Sequence, residues 1–127
     1  MTDNHPILVA EDNDFVRMQI VKYLKDAGYD VIEAKDGDEA TSIAKVSDIS
    51  LAVVDVRMEP VDGFDFIRAL HGFQLEIPVI LVTGDNNPDL LNKAGELKVS
   101  AMLTKPVEKD RLLKAVERTL AMQKRRK

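Results

Sequence analysis

The chain has no cysteine. Disulfides, thiol nucleophiles and thiolate metal sites are therefore excluded. No apolar stretch approaches the roughly 20 residues that a membrane-spanning helix needs. The opening Met1-Thr2-Asp3-Asn4-His5-Pro6 has neither the basic region nor the apolar core of a secretory signal, so a cytoplasmic location and no membrane partner are expected. A cationic surplus is missing too. The net charge is −4, which argues against a broad nucleic-acid-binding face. The one basic cluster, Lys124-Arg125-Arg126-Lys127, reads as a solvated helix end or as the start of a linker. No internal repeat, low-complexity segment or interior linker divides the 127 residues. That length suits one domain, 1–127, with its own core.

What is present is an alternation of short apolar runs with amphipathic stretches of helix length, the pattern of βαβ units and a parallel sheet. Strands are expected near 6–10, 30–34, 50–55, 77–82 and 101–104. The runs at 51–54 and 79–82 are apolar throughout, as in strands covered on both faces. A first helix over about 14–27 is expected to present Phe15, Met18, Ile20, Val21 and Leu24 near one face and to stop at Gly28. A second opens at Asp36-Gly37-Asp38-Glu39 with capping-box spacing. A third follows Asp62-Gly63, carries Phe64, Phe66, Ile67 and Leu70, and ends near Gly72. A fourth has Asn87 as N-cap and Pro88 at its first position. A fifth runs over about 107–123 on Leu112, Leu113, Val116, Leu120 and Met122. The five methionines are expected mostly to fill core space. The economical architecture is α/β: a doubly wound five-stranded parallel sheet flanked by five helices. The order 2-1-3-4-5 is adopted by analogy with known sheets of this flavodoxin-like kind.

Four apolar runs end in polar groups of chemical interest. Ile7–Ala10 runs into Glu11 and Asp12, 51–54 into Asp55, 79–82 into Thr83, and 101–104 into Lys105 and Pro106. On parallel strands these ends share the edge where open α/β sheets bind ligands. Two carboxylates about 6 Å apart repel by about 3 kcal/mol at an effective dielectric of about 20. A cluster of three therefore needs a cation or a protonated member. An all-oxygen site of this kind suits Mg²⁺ shared with a phosphate, and poorly suits metals that prefer nitrogen or sulfur. With the Lys105 ammonium and the Thr83 hydroxyl on the same edge, the set forms a cage for a transferring phosphoryl group. Asp55 can then act as the nucleophile of an aspartyl phosphate. No Walker A sequence is present to hold ATP.

Taken singly, each residue has a plainer explanation: Asp12 or Asp36 as a helix cap, Asp55 as a turn residue, Lys105 as surface punctuation. His5 and His71 lie away from the strand ends that carry the acids. A haloacid-dehalogenase-type phosphatase would need a second Asp two positions after Asp55, where Arg57 stands. A flavodoxin-like cofactor binder would place a hydroxyl- and glycine-rich loop after the first strand, where the acidic 11–14 segment would repel a phosphate without metal.

Jointly, the residues resemble a response-regulator receiver domain, the phosphoacceptor half of a two-component system, over nearly the whole length. The resemblance rests on Glu11-Asp12-Asn13, Asp55, Met58 with Asp62-Gly63, Thr83-Gly84 and Thr104-Lys105-Pro106, in that order. It implies that Asp55 accepts a phosphoryl group from a histidine kinase or phosphotransfer protein. It further implies that Asp12, Asp55 and the backbone carbonyl of Arg57 ligate Mg²⁺, with Glu11 holding a metal-bound water. Lys105 would pair with the phosphate across a cis Lys105–Pro106 bond, and Thr83 would move inward to hydrogen-bond it. The resemblance makes the chain a switch read by a downstream effector or output domain, possible also as a homodimer. Its only catalysis would be its own phosphorylation and dephosphorylation, so it is no conventional enzyme.

The departures are local. Met102 stands where receivers usually carry the aromatic that moves with Thr83, which leaves open a phosphoryl relay or sink without output. An N-terminal receiver of a longer regulator is a further alternative. Pro60 follows Met58 one residue later than usual, and Lys98-Val99 replaces a common Gly-Ala before the fifth strand. Arg57 and Asp85, each two positions past a site residue, are expected to pair across the site entrance.

Overall fold

A computed structural model describes residues 5–85 and 87–125. Strand β1 (Ile7–Ala10) leads to helix α1 (Asp14–Asp26), β2 (Val31–Ala34) to α2 (Gly37–Val46), and β3 (Leu51–Asp55) to α3 (Gly63–Gly72). Strand β4 (Val79–Thr83) leads to α4 (Pro88–Glu96), and β5 (Ala101–Thr104) to α5 (Lys109–Arg125). All neighbouring strands pair in parallel, in the order β2-β1-β3-β4-β5. The expected doubly wound sheet is the observed one.

Successive side chains of a strand point to opposite faces, and both faces here are apolar. Ile7, Val9, Leu51, Val53, Ile80 and Val82 pack with Ile20, Val21 and Leu24 of α1 and with Leu112 and Val116 of α5. Leu8, Ala10, Ala52, Val54, Val79 and Leu81 pack with Ala40 and Ala44 of α2, Phe64, Phe66, Ile67 and Leu70 of α3, and Ala94 of α4. β1, β3 and β4 are buried along their whole length. That is why their sequences are unbroken apolar runs rather than alternating ones.

The helix ends follow local chemistry. Asn13 caps α1, its side chain accepting from the N–H groups of Phe15 and Val16. Asp12, considered as that cap, is thereby left available. Asp36 accepts from Glu39 N at 2.8 Å, while the Glu39 carboxylate reaches back to Lys35 N. Asn87 caps α4 with Pro88 in the first turn. Gly28, at φ 95°, closes α1. Lys98 takes the same left-handed conformation after α4, at φ 57°. Helix four therefore ends with the usual kind of cap, on a lysine instead of a glycine.

Three expectations require correction. Phe15 and Met18 do not join the apolar face of α1; they are 80% and 59% exposed. The inward phase is Arg17, Ile20, Val21 and Leu24, spaced i, i+3, i+4 and i+7, and Phe15 falls on the opposite side. Met122 of α5 is likewise exposed, and α5 begins two residues later and ends two later than expected. The methionines are not mainly core: Met58 is buried and Met102 half-buried, but Met18 and Met122 face solvent. Met1, and the Arg126-Lys127 part of the basic cluster, lie outside the described residues. Among the described residues no helix is long and apolar enough to cross a membrane.

Candidate functional site

The parallel sheet brings four strand ends to one edge. Asp55 is the last residue of β3 and Thr83 the last of β4, and both are buried. Glu11 follows β1 and is only 1% exposed, whereas Asp12 faces solvent. Lys105 follows β5, with its N–H on the Thr83 carbonyl at 2.8 Å, and the Lys105–Pro106 peptide is cis. A carboxylate oxygen from each of Glu11, Asp12 and Asp55 lies within 4.8 Å of the others. The three acids and the amine anticipated from the sequence thus meet at this edge, and Thr83 ends the strand beside Asp55.

Lys105 Nζ stands 3.2 Å from Asp55 Oδ2 and 3.0 Å from Glu11 Oε1. Glu11 Oε2 accepts from Asn13 N at 3.0 Å. Glu11 is buried, and its Oε1 has the Lys105 ammonium as its ion-pair partner. Burial pushes the Glu11 carboxyl above its ordinary range and the Asp55 charge adds to this, against the opposing Asn13 N–H and Lys105. Asp12 is raised by desolvation and then by Glu11. Burial works against the Lys105 ammonium, but Glu11 and Asp55 outweigh it and hold its pKa above the usual value.

The Thr83 hydroxyl is engaged with the loop beyond it. It accepts from Asp85 N at 3.0 Å and donates to the Asp85 carbonyl at 3.3 Å. Asp85 in turn receives Asn87 N on Oδ1 and Arg57 on Oδ2. The Arg57–Asp85 pair, anticipated from the sequence, bridges the loops after β3 and β4. Arg57 N makes a long 3.4 Å contact to Asp55 Oδ1. Gly63 lets the start of α3 lie against the Asp55 backbone: a Cβ there would stand 2.5 Å from the Asp55 carbonyl oxygen.

The donor set fits Mg²⁺. It is all oxygen, and its three carboxylates crowd within 4.8 Å of one another around a single ammonium, an excess of negative charge that a hard cation satisfies. Met102 is half-buried against the α2–α4 side of the core. It also lines a cavity of about 110 Å³ with Leu103, Thr104, Pro106, Glu108 and Arg111.

Sequence reasoning missed Arg17. It is buried in α1 and hydrogen-bonds the Glu11 carbonyl, Glu33 and Asp14. A signal was available in its helical phase with Ile20, Val21 and Leu24.

A doubly wound sheet with clustered acids, a hydroxyl and a lysine at adjacent strand ends defines a class of acidic, phosphate-directed switch sites. Residues 7–117 match the response regulator receiver domain, and the chain belongs to that family. The transcriptional regulatory protein PdtaR of Mycobacterium tuberculosis is 31% identical over 112 residues, 87% of this chain and 54% of that protein. The chain thus spans about half the length of that relative. Protein CcdB of Bacillus subtilis is 30% identical over 115 residues, 90% of this chain and 96% of that protein. The crystal structure of a response regulator receiver protein from Pseudomonas putida superposes with a TM-score of 0.87 at 30% identity, covering 93% of this chain and 99% of that one. Receiver domains of two-component systems signal by phosphorylation on aspartate, with Mg²⁺ held in an acidic pocket.

Proposed function

We propose that Asp55 is the phosphoacceptor of a phosphorylation-controlled switch. The observation that carries this is the placement of the Lys105 ammonium against both buried acids, Asp55 and Glu11, with Thr83 ending the adjacent strand. An Asp55 carboxylate oxygen forms the new P–O bond as the donor's P–N bond breaks, the donor being a phosphohistidine of a kinase or phosphotransfer protein. Lys105 then balances charge on the phosphoryl oxygens, and the Thr83 hydroxyl turns from Asp85 to donate to one of them. Asp12, Asp55 and the Arg57 carbonyl, with Glu11 through water, would hold Mg²⁺, which supplies charge neutralisation to the phosphoryl group. Phosphorylation adds nearly two negative charges at neutral pH. The loop carrying Thr83 and Asp85 shifts between two states, and a downstream protein or an attached output domain reads the shift.

The test is acetyl-phosphate labelling with and without Mg²⁺, native protein against Asp55→Ala. Mg²⁺-dependent label lost in the variant is expected; label retained in Asp55→Ala overturns the assignment. Met102, which offers no ring or hydroxyl beside the cavity at β5, supports a second reading as a relay or sink without output. Partner binding that is unchanged by beryllofluoride would favour that reading.

A further inference from the structure

We infer that Arg17 is a positioning residue for the acidic site, ending the β1–β2 ladder so as to fix where Glu11 and Asp12 stand. The inference rests on the proposed Mg²⁺-dependent phosphorylation. The ladder closes at the Ala10–Ala34 pair, and Glu11 N still donates to the Ala34 carbonyl at 3.1 Å. Beyond Ala34 the second strand has ended. The Glu11 carbonyl is buried there, and Arg17 takes the place of the missing strand donor: its NH1 donates to Glu11 O at 2.8 Å. The Glu11 backbone is thereby held at its N–H by β2 and at its C=O by α1.

The same guanidinium reaches two further elements. Its Nε donates to Glu33 Oε1 of β2 at 3.1 Å, and its NH2 to Asp14 Oδ1 in the first turn of α1 at 2.6 Å. The Arg17 side chain is 11% exposed, whereas those of Asp14 and Glu33 are 81% and 48% exposed. If the guanidinium is lost, water can serve those two carboxylates, but not the buried Glu11 carbonyl. The damage therefore concentrates on the one residue of the three that belongs to the site. Glu11 passes it on, because its Oε2 is tied to Asn13 N and Asp12 lies between the two. A planar fork serving three directions is a task lysine cannot repeat. Outer-shell groups that orient metal ligands commonly govern metal affinity by about 10–100-fold.

The test titrates Mg²⁺ by calorimetry into native, Arg17→Lys, Arg17→Gln and Glu33→Gln proteins, with thermal melts showing each to be folded at the titration temperature. Both Arg17 variants are expected to bind Mg²⁺ about tenfold more weakly, with acetyl-phosphate labelling recovering towards the native rate at saturating Mg²⁺. Glu33→Gln keeps an acceptor for Nε and is expected to keep the native constant. Arg17→Lys retains the cation, so it decides the matter if the glutamine variant does not fold. Native Mg²⁺ affinity in folded Arg17→Lys overturns the inference. A native protein that binds Mg²⁺ and takes label on Asp55 leaves the functional reading standing in that event; a native protein that does neither overturns both.

Discussion

Arg57 and Asp85 meet at 2.7 Å across the mouth of the acidic site, joining the loop that leaves β3 to the loop that leaves β4. Their side chains are 73% and 37% exposed, so the pair is worth only about 0–1 kcal/mol to stability. Its placement matters more than its strength, since it ties together the two loops that follow Asp55 and Thr83, where it would hinder an attacking water. The Arg57→Ala, Asp85→Ala double variant should lose its phosphoryl label faster than native protein while melting at nearly the same temperature. Equal half-lives after removal of the donor would refute the gating role.

Crowded acids lower the stability of the metal-free protein. Oxygens within 4.8 Å repel by about 3 kcal/mol at an effective dielectric of about 20, and Lys105 offsets part of this. Asp12→Asn should therefore stabilise the Mg²⁺-free protein at pH 7 by about 1 kcal/mol, measured by urea unfolding. Glu11 and Asp12 titrate above their ordinary range, so the folded chain binds more protons than the unfolded one in that window. Their repulsion thus costs stability above the raised values, and the cost fades as the pH falls towards the ordinary carboxylate range. The advantage of Asp12→Asn should shrink in the same direction, and added Mg²⁺ should stabilise native protein more than the variant.

Gly63→Ala should act on chemistry and fold together. The new methyl would press on the Asp55 carbonyl oxygen at 2.5 Å and the Val56 Cα at 3.1 Å, both backbone atoms that cannot rotate away. A loss of about 1–3 kcal/mol is expected, together with slower acetyl-phosphate labelling at saturating Mg²⁺.

Lys98→Gly should stabilise the protein by about 1 kcal/mol, because φ 57° is strained for a residue with a Cβ and free for glycine. Lys98→Ala, which keeps the Cβ, should give no such gain in the same denaturation assay.

On α1, Phe15→Ala should change stability by no more than about 0.5 kcal/mol, since the ring is 80% exposed. Ile20→Ala should cost about 2–5 kcal/mol. Urea midpoints of the two variants separate these expectations.

The α1 case marks the limit of what the residues disclose. Strand positions and the meeting of Glu11, Asp12, Asp55, Thr83 and Lys105 were legible, because a strand buried on both faces is apolar throughout and stops where polar chemistry begins. The face of α1 was misread, because hydrophobicity alone enrolled Phe15 and Met18. The true phase includes an arginine, whose burial depends on a strand carbonyl and on carboxylates brought in by β2 and the first turn. Periodicity weighs side chains one at a time and has no term for partners supplied by another element. The pairing of Lys105 with Glu11 was hidden for the same reason: it depends on which way a buried carboxylate turns at the end of its strand.

That pairing gives the resting site an occupant of its own. A phosphoryl oxygen arriving beside Lys105 would not enter a vacant anion hole but would share the ammonium with a resident carboxylate, which covalent attachment keeps close by. Free phosphate and sulfate face an internal competitor at high effective concentration. A phosphoryl group bonded to Asp55 would face the same competitor from an equally tethered position, so the site would favour its own acyl phosphate over the dissolved anion.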